Sequence, residues 1–131
     1  MKLYKNFNIS KNHKKSIILI GNFDGIHVGH QRLFKLANIY KKKFKLNIGV
    51  VTFEPMPKMY FNKKIKNFRL SNISQKNKIL NNLGVDFLII KKFDKNFSKI
   101  KPNFFIKEIL SKQLEAKYIF VSNNFRFGNK R

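Results

Sequence analysis

The segment Gly21-Asn22-Phe23-Asp24-Gly25-Ile26-His27-Val28-Gly29-His30 sits between two different hydrophobic patterns. Before it runs Ile17-Ile18-Leu19-Ile20, four consecutive apolar β-formers. After it, Leu33, Phe34, Ala37, Tyr40 and Phe44 recur at helical spacing. The order is strand, glycine-rich loop, helix N-terminus. The first N–H groups of a helix lack intrahelical partners and lie at the positive end of its dipole, so this junction is suited to an anion. Gly21, Gly25 and Gly29 let the backbone bend and approach a ligand with no Cβ in the way. His27 and His30 stand three residues apart across the helix start, so both imidazoles could face one bound phosphate. A glycine-rich strand–helix turn alone is common in α/β proteins. Two histidines flanking a glycine at the helix start are the narrower signal.

The same alternation continues along the chain. Residues 16–20 read as the first buried strand, because unbroken apolar runs suit a parallel sheet covered on both faces. A helix over about 29–43 follows, and Lys41, Lys42 and Lys43 favour its negative end. Residues 46–53, LNIGVVTF, form the second strand. Gly49 weakens it unless another backbone packs close. Thr52-Phe53-Glu54-Pro55-Met56-Pro57 then sets a rigid turn past a strand's carboxyl end, where open α/β sheets place their ligands. Residues 58–70 are basic and aromatic and read as a loop over the site. Asn72 and Gln75 have capping-box spacing before Ile73, Ile79, Leu80 and Leu83, and Gly84 stops that helix. Residues 85–91 form the third strand, and Phe93-Asp94-Lys95 begins a loop. Pro102 opens a helix carrying Phe105, Ile106, Ile109, Leu110 and Gln113. Residues 118–121 form the fourth strand, followed by Ser122-Asn123-Asn124-Phe125-Arg126-Phe127-Gly128. Residues 1–15 read as an irregular lead or a short edge strand. The predicted fold is α/β: a Rossmann-like parallel sheet with helices on both faces.

Composition narrows the class. At 131 residues the chain is one domain, and 43% hydrophobic content supports a buried core. No apolar run is long enough to span a membrane, and the N-terminus lacks the apolar stretch of a secretory signal. With no cysteine, thiolate catalysis and disulfides are excluded, which fits a cytoplasmic setting. The net charge of +23 could mark a nucleic-acid surface. The lysines are nevertheless spread along the chain, and heavy use of Lys, Asn, Ile and Phe suits an A/T-rich coding sequence. Nucleic acid is therefore not the expected partner, although the field would help collect anionic substrates in a salt-dependent way.

Three motifs, GNFDGIHVGHQ, TFEPMP and NNFRFG, all fall after strand ends. The first resembles the nucleotide-binding motif of the HxGH nucleotidyltransferase superfamily, and its full form looks most like the FAD synthetase (FMN adenylyltransferase) branch. TFEPMP is similar to that family's TFEPxP, with Met56 where His is usual. NNFRFG resembles its G-x-[DN]-F-R-F-G, with Asn124 at the Asp/Asn position and Ser122 in place of a glycine. A serine that commonly precedes the helix-opening proline is here Lys101, so a side-chain cap is missing. The likeness runs from about Ile17 to Arg131, including the spacing between motifs.

The resemblance implies FMN + ATP → FAD + pyrophosphate, with Mg²⁺ accompanying ATP. It implies His27 and His30 as the catalytic pair. It implies Gly21, Asn22, Phe23, Asp24, Gly25 and Gly29 as the ATP-binding segment. It also implies flavin and substrate contacts from Phe53, Pro55, Pro57, Asn124, Phe125, Arg126 and Phe127. Asp24 is taken to order the turn rather than to hold metal, and no metal-ligand set is assigned. In that family the adenylyltransferase domain continues past FRFG, and most bacterial members carry a riboflavin kinase domain beyond it. Residues 1–131 are thus expected to be the adenylyltransferase domain, C-terminally incomplete and weak or inactive alone. Two alternatives remain: a nucleotidyltransferase with another phosphate acceptor, and a non-enzymatic basic RNA-binding module. The sequence does not give the oligomeric state.

Overall fold

The computed structural model describes residues 1–23, 28–54 and 73–122. Among these residues, five strands form one sheet: β1 (Lys2–Tyr4), β2 (Ile17–Ile20), β3 (Ile48–Glu54), β4 (Phe87–Lys92) and β5 (Tyr118–Val121). Their order is β1-β4-β3-β2-β5, and every neighbouring pair is parallel. Helix α1 (Val28–Phe44) joins β2 to β3, and α2 (Ile73–Asn82) precedes β4. Between β4 and β5 lie α3 (Lys95–Ser98), α4 (Pro102–Phe104) and a wider-wound helix, Phe105–Gln113.

Strand alternation sorts the core into two layers. Ile18, Ile20, Val51, Phe53, Phe87 and Ile89 pack against Phe97, Phe105, Ile109, Leu110 and Leu114. On the opposite face Ile17, Leu19, Ile48, Val50 and Leu88 meet Phe34, Ala37 and Leu80. Helices therefore cover both faces, and the near-continuous apolar strands are what that arrangement requires.

Helix ends follow the local chemistry. Gly84, at φ 89°, stops α2: Val85 N–H donates to the Leu80 carbonyl and Gly84 N–H to that of Asn81, which is the Schellman pattern. Lys41, in the last turn of α1, donates to the Gly84 carbonyl at 2.8 Å and to Asp86 Oδ2 at 2.9 Å. The same Asp86 oxygen accepts from Ile48 N–H at 2.9 Å, so one lysine ties α1 to the starts of β3 and β4. Lys101 caps α4 with no side-chain hydrogen bond, as its replacement of serine predicts.

Of the two readings of the lead, the short edge strand holds: β1 pairs with β4, Lys2 opposite Phe87, and Phe7 and Ile9 are buried in the core. Two expectations are corrected. The stretch after Phe93 is not a loop, because Asp94 Oδ1 accepts from Phe97 N–H at 2.8 Å and starts α3. Ile106 is 55% exposed. The helix there widens toward i→i+5 bonding, with Leu114 N–H donating to the Ile109 carbonyl. That winding lines up Phe105, Ile109–Leu110 and Leu114 on the core and turns Ile106 to solvent.

At the amino-terminal end of the sheet, His13 stacks on Phe87 (centroids 4.6 Å, 23° between planes) and its Nδ1 shares a 2.7 Å hydrogen bond with the Tyr4 hydroxyl. Burial holds its pKa below the ordinary 6.5, against the attraction of Asp86 and together with the repulsion of Lys2. The unfolded chain therefore takes up this proton first as pH falls. His13 contributes its full stability above about 6.5, and that contribution is lost progressively as pH falls below it. Urea titrations at pH 7.5 and 5.5 are expected to show a drop in stability that His13→Gln makes smaller. An equal drop in both proteins contradicts the assignment.

Candidate functional site

The strand register brings three carboxyl ends together: Ile20 stands opposite Val51 on one side and Val121 on the other. The chain leaves β2 at Gly21, whose N–H donates to the Val51 carbonyl at 3.1 Å, while Ser122 N–H donates to the Ile20 carbonyl at 3.0 Å. A Cβ on Gly21 would stand 2.7 Å from Ser122 Oγ and 2.9 Å from Phe23 Cζ. Any side chain here would have to displace Ser122 Oγ or the Phe23 ring.

Of the three glycines expected to let the backbone bend, Gly21 is not left-handed and Gly25 lies outside the described residues. In the described part of the turn, Phe23 has left-handed backbone, at φ 53°. A bulky residue in this region costs of order 1–3 kcal/mol and persists only where its surroundings enforce it. The Phe23 ring is 2% exposed. It meets Phe34 edge-on at 5.2 Å and His30 at 5.0 Å with 70° between planes.

The residue before it is held twice. Thr52 Oγ1 donates to Asn22 Oδ1 at 3.3 Å, and Lys76 Nζ donates to the Asn22 carbonyl at 2.6 Å. Thr52 and Lys76 are both buried. The turn is thereby fixed from β3 and from α2 before the chain reaches α1.

His30 lies in the first turn of α1, half-buried, with its ring braced by Phe23. That first turn carries no acidic residue, so the helix's positive end is not offset by its own side chains. A pinned turn, a helix start and a braced imidazole can hold an anion and donate to charge developing on it.

Gly21, Asn22, Phe23 and His30 are thus brought together, and Gly29 lies in the first turn of α1. Asp24, Gly25 and His27 lie outside the described residues, as do Pro55, Met56, Pro57, residues 58–70, Asn72, Asn124, Phe125, Arg126 and Phe127. Phe53 is moved from the pocket to the core. Alternation along β3 turns its ring into the aromatic layer, fully enclosed, with Phe93, Phe97 and Phe105 at 5.8, 5.4 and 6.1 Å. It can support a wall but does not offer a face. The sequence reading missed Lys76 and Thr52. A signal for Lys76 existed: it occupies a position on the apolar spacing of α2, three after Ile73 and four before Leu80.

A parallel sheet with a pinned turn and a helix-start histidine at its carboxyl edge defines an α/β domain of the nucleotidyltransferase type. The FAD synthetase family model matches residues 9–131, and the chain belongs to that family. It is 40% identical to a bifunctional riboflavin kinase/FMN adenylyltransferase of Buchnera aphidicola from Schizaphis graminum, over all of this chain and 42% of that protein. It is 35% identical to the protein of the same description in Escherichia coli K12, over 88% of this chain and 37% of that one. A Listeria monocytogenes FAD synthetase is 30% identical over 93% of this chain and 49% of its own length. The chain thus spans about two-fifths to one-half of the curated relatives it matches. A solved structure described as a macrolide-efflux protein from Streptococcus pneumoniae superposes with a TM-score of 0.79 at 30% identity, covering 96% of this chain and 42% of that one. Among the described residues no helix is long and apolar enough to cross a membrane.

Proposed function

We propose that this domain binds ATP, as its Mg²⁺ complex, and FMN, and joins them into FAD with release of pyrophosphate. An oxygen of the FMN phosphate attacks the α-phosphorus of ATP. A new P–O bond forms, the bond from the α-phosphorus to the bridging oxygen breaks, and pyrophosphate leaves with that electron pair. A phosphate monoester has a second pKa of about 6, so the nucleophile is already ionised near neutrality and no general base is needed. Catalysis is positioning and charge stabilisation.

In this reading His30, with His27, donates to the triphosphate and to the charge that builds in the transition state. The segment Gly21, Asn22, Phe23, Asp24, Gly25 and Gly29 carries the nucleotide. Pro55, Pro57, Phe125 and Phe127 wall the flavin, Asn124 and Arg126 supply polar contacts, and Phe53 backs the wall from the core. The site would work in the cytoplasm, the setting that a cysteine-free chain fits. The observation that carries the reading is the pinned Gly21–Asn22–Phe23 turn feeding a helix with His30 in its first turn, in a chain of the FAD synthetase family.

Calorimetry with MgATP and with FMN, followed by chromatography of a single-turnover mixture with protein in excess, tests it. In the longest form of the protein, both ligands are expected to bind, and FAD and pyrophosphate to form in equal amounts; residues 1–131 alone are expected to turn over weakly or not at all. Adenylylation of a different phosphate acceptor overturns the FMN assignment. Tight RNA binding at physiological salt with no binding of either substrate overturns the enzyme reading.

A further inference from the structure

We propose that Lys76 is a positioning residue for the nucleotide site: its buried ammonium grips the Asn22 carbonyl and so holds the turn, and His30 behind it, in place for the phosphates. The inference rests on the functional reading above for the ligand, and on geometry for the grip. Lys76 is 3% exposed and its Nζ lies 2.6 Å from the Asn22 carbonyl oxygen. Burying an ammonium is costly unless it is hydrogen-bonded. A charge-assisted bond of that length, away from water, is among the stronger non-covalent contacts available.

The carbonyl it holds belongs to the peptide that leads into Phe23, whose backbone is left-handed. Rotation of that peptide would release the strain and swing the Phe23 ring away from His30, 5.0 Å distant. The linkage therefore runs from α2, through Lys76 and the Asn22–Phe23 peptide, to the His30 imidazole. Thr52 supplies a second, neutral grip on the Asn22 side chain. Lys76 touches no substrate in this scheme. It fixes the groups that do.

The test is Lys76→Met, which keeps an unbranched side chain one atom shorter and removes the donor and its charge. Amide exchange at Asn22 and Phe23 in the free protein is expected to quicken. ATP affinity is expected to fall roughly tenfold or more, the scale of losing one hydrogen bond to a charged group. FMN affinity and the cooperative melt should be retained, and Lys76→Arg should recover most of the ATP affinity. Unchanged exchange with unchanged ATP affinity overturns the proposal. Equal loss of ATP and FMN binding also overturns it, since that marks general loosening. If Lys76→Met does not fold, NMR of the Lys76 ammonium in the wild-type protein decides: slow exchange and a shift on adding ATP support the grip, and exchange as fast as surface lysines with no response to ATP overturns it. A wild-type protein that binds no ATP overturns the functional reading instead, and the exchange data then judge the grip alone.

Discussion

His30→Ala is expected to slow FAD formation by about 10²–10³, with FMN affinity nearly unchanged. The magnitude is that of removing one preorganised donor from a developing charge, about 2.7–4 kcal/mol. Preorganisation is the property the surroundings confer. The imidazole stands in the first turn of α1, and Phe23 meets it edge-on at 5.0 Å. Phe23 is in turn enclosed and backed by Phe34. The ring therefore does not need to be ordered at the moment of reaction. FMN affinity is spared because the proposed flavin contacts come from other segments, those around Pro55 and Arg126. His27→Ala is the companion experiment, and the two losses should be far from additive if both imidazoles serve one transition state. The measurement is a single-turnover rate in the longest form of the protein that makes FAD, paired with FMN calorimetry and a melt. A near-normal rate in His30→Ala removes His30 from the chemistry.

Much of this arrangement was legible in the sequence because strong local signals coincide with buried elements. Ile17–Ile20 and Tyr118–Val121 are strands whose ends are set by Gly21 and Ser122, and both are found within a residue of the predicted bounds. The end of α2 follows from Gly84, the position where left-handed backbone is cheapest. Short elements are less sharply legible. The three-residue β1, open in sequence between an irregular lead and an edge strand, and the four-residue α3, which reads as a loop, are too brief for any period to develop, and β1 exists because β4 offers it an edge. Asp94 caps α3 through Phe97 N–H, three residues on, a local signal that the loop reading does not use.

The site was less legible because its supports are decided by tertiary contact. Gly21, Gly25 and Gly29 read as the residues that let the backbone bend, yet Phe23 is itself left-handed, which only its enclosure can enforce. Lys76 is one of 29 basic residues. Charge composition hid the fact that helical spacing puts this lysine on the core side of α2. Phe53 carried a motif-based expectation, and strand alternation alone would have turned it into the aromatic layer beside Val51.

Gly49→Ala is expected to be the most damaging single methyl in the described fold. Gly49 lies in β3 directly opposite Phe87 of β4. A Cβ built there falls 2.1, 2.3 and 2.7 Å from three atoms of the Phe87 ring, far inside contact distance. The ring has nowhere to go. Phe87 is fully buried, His13 stacks on it at 4.6 Å, and Tyr4 meets it edge-on at 6.0 Å. Either the ring leaves its rotamer or β3 and β4 separate. Overpacking of this kind typically costs 1–3 kcal/mol, occasionally more, and the locked ring argues for the upper end. Against it, replacing glycine reduces the entropy of the unfolded chain by about 0.4–1 kcal/mol. The clash wins, for a net loss of about 2 kcal/mol or more, or roughly 5–10 °C in Tm for a domain of this size. The sequence rule that glycine weakens a strand therefore has its sign reversed here, because the missing side chain is the space another one fills. Shrinking the ring should recover the loss: Gly49→Ala with Phe87→Leu should be more stable than the sum of the two single changes by about 1 kcal/mol or more. Urea midpoints of the four proteins measure this coupling, and strict additivity would show that the Phe87 ring is not what excludes a side chain at position 49.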